Sequence, residues 1–384
     1  MILNRVGALQ NKLSQEQTWR SLSAFQNVEH TTRLIMSLHD IPPSQRSNVQ
    51  KQARQIRNCL QQAQEYFRAA SSVGMATRPL LLYYGLLSLA LAEILLKQDG
   101  RSSLDAARGK HAHHGLILRL NGNPSTKHEL SMSAASLAAT PLTTPNGRTG
   151  TFELWHRSAR EPPVALKLVS QFANHTKSES SVLGFGAADR RLELMPDQGI
   201  TLIDCMRSHP ECARSISQFG VNTTAVRAIT SREQSELTKT VSSSIFIQPA
   251  APDILEACYG QILFGASAVN TLNISEFRSG MGIRWSTSEN DPQIPIHLPV
   301  ATQSRVGEFF MQTDVQYLNE FGILYVGLYI LGNYARYYPD YWMNDVDSSS
   351  ALALAAHDFV DVAEDRAPLL ALGEFERRHL VLDS

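Results

Sequence analysis

Two long apolar runs near opposite ends of this chain constrain its fold more than any other feature. The first begins Arg78-Pro-Leu-Leu-Leu-Tyr-Tyr-Gly-Leu-Leu-Ser-Leu-Ala90 and continues to Leu96; the second is Phe321-Gly-Ile-Leu-Tyr-Val-Gly-Leu-Tyr-Ile-Leu-Gly332. Pro79 suits the first turn of a helix, where its missing N–H costs nothing, and a helix that is apolar on all sides belongs inside a bundle. Leu80–Leu96 approaches the length of a membrane span, yet it carries Ser88 and Glu93 and is flanked by Arg78 and Lys97. A carboxylate inside lipid is costly, so a buried core helix is expected. The second run is too short for an untilted span and contains small residues that permit close packing. Both runs are therefore expected in one water-free interior, which places the N- and C-terminal parts of the chain together.

The rest of the chain divides around that expectation. Trp19, Leu22, Phe25, Val28, Ile35 and Leu38 suggest a first helix over 16–40, stopped at Asp40-Ile-Pro-Pro43. Ile56, Cys59, Leu60, Ala63, Phe67 and Ala70 recur every three or four residues among Gln, Arg and Lys, predicting an amphipathic helix from about Ser47. From about 115, Gly, Pro and Asn-Gly punctuation breaks the chain into short pieces. Thr151–Trp155 and Val164–Val169 have strand-like content, although the second equally suits helical turns. Residues 199–220 suggest short helices, Ser242–Gln248 and Gly282–Ser286 alternate like strands, and Ile254–Phe264 suits a helix between them. Helix returns over Phe309–Tyr338, then over 351–364 behind Ser348–Ser350, with Pro368 opening a last short helix. The expected fold class is α+β: a helical bundle of residues 1–114 packed with C-terminal helices of 305–384, and a mixed, strand-containing insertion over 115–304.

Composition excludes several classes. In 384 residues, 43% are hydrophobic and 18% charged, far from the disordered regime, and the formal net charge of −1 lacks the basic excess of a dedicated duplex binder. Cys59, Cys205, Cys212 and Cys258 are scattered without a CxxC pair, which suggests reduced thiols rather than a zinc site or disulfide framework. Met1-Ile-Leu-Asn-Arg-Val-Gly is unlike a secretion signal, so a cytoplasmic location without membrane contact is expected. The GxxxxGK[ST], HExxH and GxSxG motifs are absent, and Leu183-Gly-Phe-Gly186 is a lone GxG. No cofactor is implied.

The Arg78–Ala90 run resembles the Arg-Pro-Leu-Leu-x-Tyr-Gly signature of the YaaC-like proteins, a bacterial family. His113-His114-Gly115-Leu116 is similar to that family's short His-Gly element, and Tyr334-Ala-Arg-Tyr-Tyr-Pro-Asp-Tyr-Trp342 to its C-terminal aromatic segment. Together with Leu202-Ile-Asp-Cys-Met-Arg-Ser-His-Pro210, these imply a likeness across most of the chain. The resemblance implies architecture more readily than mechanism.

Candidate chemistry gathers around the histidines. Arg108-Gly-Lys-His-Ala-His113 has an Arg-x4-His spacing that resembles HEPN ribonucleases, which cleave RNA without metal. In that resemblance Arg108 would stabilise charge on phosphate while His113, or its neighbour His114, moves a proton. Gly109 stands where those enzymes carry a polar residue and weakens the helix the spacing needs. Residues 101–128 hold five Lys/Arg and four His against the single acid Asp105, making Arg101, Lys110, His111 and Arg119 candidate phosphate or RNA contacts. His111, His113 and His114 lack a nearby carboxylate or cysteine, so no metal site is expected. Glu93 needs a buried partner, with Arg78 or Arg336 as candidates. The Arg336–Trp342 segment, including Tyr338, mixes aromatics with charge as interface anchors do, and equally suits a cap on the bundle.

The leading functional expectation is a non-catalytic interaction subunit that forms a homo-oligomer or pairs with a partner protein. The resemblance adds a setting in bacterial stress or anti-phage defence. Alternatives are an RNase using Arg108 and His113, and a nucleotide or small-molecule sensor.

Overall fold

Helix α4 (Arg78–Leu96) is buried over most of its surface, with Leu82, Tyr83, Leu86, Leu89, Ala90, Ala92 and Leu95 all buried and a narrow stripe of Leu80, Tyr84, Leu87 and Leu91 half-buried. The structure is a computed structural model; it describes residues 5–9, 13–98, 113–159, 192–235 and 317–382, plus strand backbones at 169–173, 176–181, 240–247, 263–264, 271–277, 280–288, 296–297, 301–303 and 309–312. Before α4 come α1 (Gln15–Ser23), α2 (Val28–Leu38) and α3 (Arg46–Ala70). After it come the short helices α5 (Leu130–Ala135), α6 (Thr151–Ser158), α7 (Leu202–Arg207) and α8 (Ala213–Gln218). The C-terminal helices are α9 (Glu320–Tyr337), α10 (Pro339–Asp347) and α11 (Ala351–Glu376).

The apolar runs meet as expected. Helix α4 contacts α3, α9, α11 and α6, and one continuous core joins Leu22 and Phe67 to Leu324, Phe359 and Phe375. Close approach depends on glycine. A Cβ at Gly85 would stand 2.6 Å from the Phe67 ring, and one at Gly327 would fall inside the envelope of the Phe359 ring, so larger residues there would push α3 and α11 away. The chain ends also meet: Arg5–Leu9 pairs in parallel with Arg378–Leu382.

The fold is α+β. An antiparallel sheet of eight strands among the described residues occupies the middle of the chain, and its strands at Thr240–Ile247 and Gly280–Ser288 coincide with two of the segments read as strands. Middle segments also enter the helical core directly. Phe152, Trp155, Leu202, Cys205 and Met206 are all buried in it, so packing does not break at residue 115.

Four local expectations are corrected. The first helix is two, because a 3-10 turn at Ala24–Gln26 intervenes and the Asn27 side chain caps α2 by accepting from His30 N. Thr151–Trp155 is helical rather than extended: Phe152, Trp155 and His156 fall on one buried face at helical spacing, which outweighs β-rich content. Phe309–Gln312 is a strand, and helix starts only at Glu320, where Asn319 Oδ1 accepts from Gly322 N at 3.0 Å. Finally, Pro368 opens no new helix; α11 runs through it. The first part of Ile254–Phe264 lies outside the described residues, and Leu263–Phe264 is a strand.

The passage of α11 through proline has a visible compensation. Proline at 368 cannot donate to the Glu364 carbonyl four residues earlier. Gln15 Nε2 donates to that carbonyl instead, at 3.1 Å, which pins α1 to α11. We expect Gln15→Ala to lower stability by about 1 kcal/mol in chemical unfolding. In a Pro368→Ala background, where an N–H is restored, that loss should largely vanish. An equal loss in both backgrounds would contradict this account.

Candidate functional site

The His113-His114-Gly115 turn is placed by α6. Gly150 adopts φ +106°, and behind it Thr151 N donates to the His113 carbonyl at 2.9 Å and Phe152 N to the His114 carbonyl at 3.0 Å. The first amides of α6, which have no partner within a helix, are thus used to fix the histidine turn. His113 is exposed, and His114 is half-buried against α4 and α9.

His114 sits in an aromatic setting. Its Nδ1 lies 2.9 Å from the Tyr83 hydroxyl, and its ring centroid is 5.6, 6.2 and 6.3 Å from those of Tyr83, Tyr84 and Tyr329. Burial pushes the Tyr83 phenol well above its ordinary range, so it stays protonated and can donate to Nδ1. In the tautomer that carries its proton on Nε2, His114 accepts this hydrogen bond through Nδ1. His114 itself is held below the usual histidine range, first by burial and then by the charges of Arg336 and His113. Arg336 Nη1 donates to the Tyr84 hydroxyl at 2.5 Å, and its guanidinium lies over the Tyr337 ring, 5.1 Å from the centroid. The Tyr84 ring therefore ties the arginine to the imidazole.

The other candidates separate from this cluster. Arg101, Arg108, Lys110 and His111 lie outside the described residues, so the Arg108–His113 pairing has no geometry to support it. Arg119 is exposed on strand Leu116–Leu120. Arg78 bridges α4 to α11, with Nη1 2.7 Å from Asp361 and Nη2 2.5 Å from Glu364. Trp342 is 1% exposed and its Nε1 donates to the Met75 carbonyl at 2.9 Å, so it packs inside rather than anchoring an interface. Tyr338 stacks on Tyr341 with centroids 6.1 Å apart. Among the described residues no three His, Cys, Asp or Glu side chains are placed to hold a metal.

Glu93 pairs with neither Arg78 nor Arg336. Arg78 is fifteen residues away on the same helix, roughly 22 Å at 1.5 Å rise per residue, and Arg336 is engaged by Tyr84. Instead Glu93 Oε2 accepts from Trp155 Nε1 at 2.8 Å and lies 3.8 Å from Lys97, whose nearer carboxylate is Glu374 at 2.9 Å. Glu93 Oε1 is buried without a partner among the described residues. One hydrogen bond to a charged group offers about 1.5–3 kcal/mol, while burying a carboxylate costs several. Burial wins, and the Glu93 carboxyl is pushed up to about 8 despite the pull of Lys97.

Sequence reasoning missed a second buried polar group. Arg366 Nε and Nη2 donate to Glu320 Oε1 and Oε2 at 2.7 and 2.9 Å, joining α11 to the start of α9. His209 is enclosed nearby, edge-on to Phe359 and, among the described residues, without a partner for Nε2; burial holds it down to about 4, with Glu320 opposing that shift and Arg366 adding to it. The one available signal was Arg366 itself, an arginine inside an otherwise apolar helical face.

A cavity of about 510 Å³ opens beside α7, with Thr201, Asp204 and Gln198 at its rim and Cys205, Leu318 and Ile323 beneath. It lies away from the histidine turn and shares none of its residues.

Residues 23–375 match the family model described as YaaC-like Protein. No curated protein and no solved structure matches the chain.

The buried acid sets a pH dependence. Between 4.5, the ordinary glutamate value, and about 8, the folded chain keeps a proton on Glu93 that the unfolded chain has released, so this group lowers stability as pH rises through that window. Glu93→Gln retains a partner for Trp155 Nε1 and should flatten that slope in urea unfolding followed from pH 5 to 8. An unchanged slope in the variant would show that Glu93 is already ionised in the fold.

Proposed function

The chain belongs to the YaaC-like family, and we propose from its surface chemistry that it is a non-catalytic interaction subunit, self-associating where α9 meets α10. The observation that carries this reading is a contrast in aromatic burial. Trp155, Trp342, Tyr83, Tyr325 and Tyr334 are buried almost completely, whereas Tyr337 is 61% and Tyr341 37% exposed at one corner. Tyrosine and arginine are the side chains that most often dominate protein interfaces, since they bury much area at small entropic cost.

The corner is held rigid from behind. Ser125 Oγ contacts the Tyr334 hydroxyl at 3.0 Å, the Tyr341 carbonyl at 2.7 Å and Asp345 Oδ2 at 3.0 Å. Tyr338 and Tyr341 stack with their planes 13° apart, so a partner would meet a preformed face with little left to order. Both charge signs are present on it, Arg336 at the end of α9 and exposed Asp340 at the start of α10. A patch carrying both signs can complement its own copy across a two-fold axis, which favours a second copy of this chain as the partner. An assembly of bacterial stress or anti-phage defence is the setting we propose for it.

Sedimentation velocity of the full chain from about 1 to 100 µM is expected to show a monomer–dimer equilibrium. Replacing both exposed tyrosines, Tyr337→Ser with Tyr341→Ser, should weaken association about tenfold or more. A wild-type chain that stays monomeric throughout, or a double variant that associates like wild type, would contradict the proposal.

A further inference from the structure

Arginines fixed in place in this fold are generally matched by carboxylates. Arg78 has Asp361 and Glu364, Arg366 has Glu320, and Arg148 has Asp197 at 2.6 Å. Arg207, whose Nε donates to the Asn222 carbonyl at 2.7 Å, is one exception, and Arg336 is another. It is positioned by a neutral hydroxyl, that of Tyr84, and by the Tyr337 ring, with no carboxylate partner among the described residues. Its orientation is specified while its charge is left unneutralised.

The neighbouring groups compound that excess. His114 is oriented by Tyr83 through Nδ1, so its Nε2 edge is the one left for another partner. His113, next in the chain, is exposed. The described groups facing His114 are Tyr83 and Tyr84 from α4, Tyr329 and Arg336 from α9, and His113 on its own turn; none is an acid. Arg336, His113 and His114 are close enough for their charges to act on one another, Arg336 and His114 are held by tyrosine hydroxyls, and among the described residues no anion balances them. Such an arrangement costs electrostatic energy when empty, and a dianion would relieve it.

We propose that Arg336, His113 and His114 form a binding site for a phosphomonoester. The guanidinium fork offers paired donors to two phosphate oxygens, and the imidazole edges supply donors to the remainder. Binding and protonation are linked: an anion beside His114 favours its imidazolium, so the ligand raises the proton affinity that Arg336 and His113 depress. The sources of such a group include free phosphate and a mononucleotide, and the Tyr84 and Tyr337 rings give a nucleobase a surface to stack on. This site overlaps the α9–α10 corner at Arg336 and at the Tyr337 ring, and the two proposals are told apart by their readouts: ligand binding at the His114 ring for this one, sedimentation for self-association.

The test uses the full chain with inorganic phosphate, AMP and adenosine as separate probes, following the His114 ring by NMR across pH. Phosphate and AMP are expected to bind saturably and to raise the His114 midpoint, with AMP the tighter if the rings contribute, and adenosine to do neither. Arg336→Gln should weaken AMP binding about tenfold or more and His113→Gln about threefold, while Arg119→Gln, an equal loss of charge on the strand, stays within about twofold. Arg336 and His113 are both exposed, so both variants are expected to fold. The proposal is overturned if phosphate and AMP leave His114 unmoved, if Arg119→Gln weakens binding as much as Arg336→Gln, or if adenosine binds as well as AMP.

Discussion

Everything in this fold depends on α4 being enclosed. A helix with apolar residues all round has little to give to water, so the chain must supply neighbours over most of its surface, and it draws them from distant segments: α3, α6, α9 and α11. Glycine sets how close those neighbours come. At Gly85 the Phe67 ring occupies the space a side chain would take, and at Gly327 the Phe359 ring does the same, so aromatic area is buried at the distance where dispersion is strongest. The Arg78 bridge to Asp361 and Glu364 then aligns the start of α4 with α11.

Enclosure has a chemical consequence, because polar groups trapped with the apolar ones must find partners or change state. Glu320 and Arg366 solve this as a paired ion in parallel hydrogen bonds, which is expensive to assemble and more expensive to break on one side. Glu93 solves it by keeping its proton and accepting from Trp155, and His209 by remaining neutral. The buried rings extend from there to the surface: Trp155 stacks on Tyr325, whose ring meets Tyr83 edge-on, and Tyr83 reaches His114. The histidine turn is thus anchored to the same interior that holds α4.

Legibility in the sequence followed the physics that generates each feature. Apolar periodicity reports burial, and it marked α3, α4 and α9 because each buries a long continuous face. Local content misled where a tertiary contact decided the outcome. Thr151–Trp155 reads as a strand until its three buried ring-bearing residues are placed on a helix, and Pro368 reads as a helix start until Gln15, more than three hundred residues away in the chain, accounts for the orphaned carbonyl. Pairings were the least legible. The Tyr83 and His114 segments both stand out as motifs, but nothing local says that the two side chains hydrogen-bond, and charge alone points Glu93 to an arginine when a tryptophan N–H and a lysine one turn away hold it.

A shared core makes α4, α9 and α11 one cooperative unit joined across the length of the chain. Native-state hydrogen exchange measures this directly, because amides protected by a shared core open only with the whole. The account predicts that the most protected amides of α4, α9 and α11 exchange slowest and with a common free energy equal to that of global unfolding. If α9 and α11 instead exchanged together at a markedly lower free energy than α4, the two ends of the chain would be separate units and the account would fail.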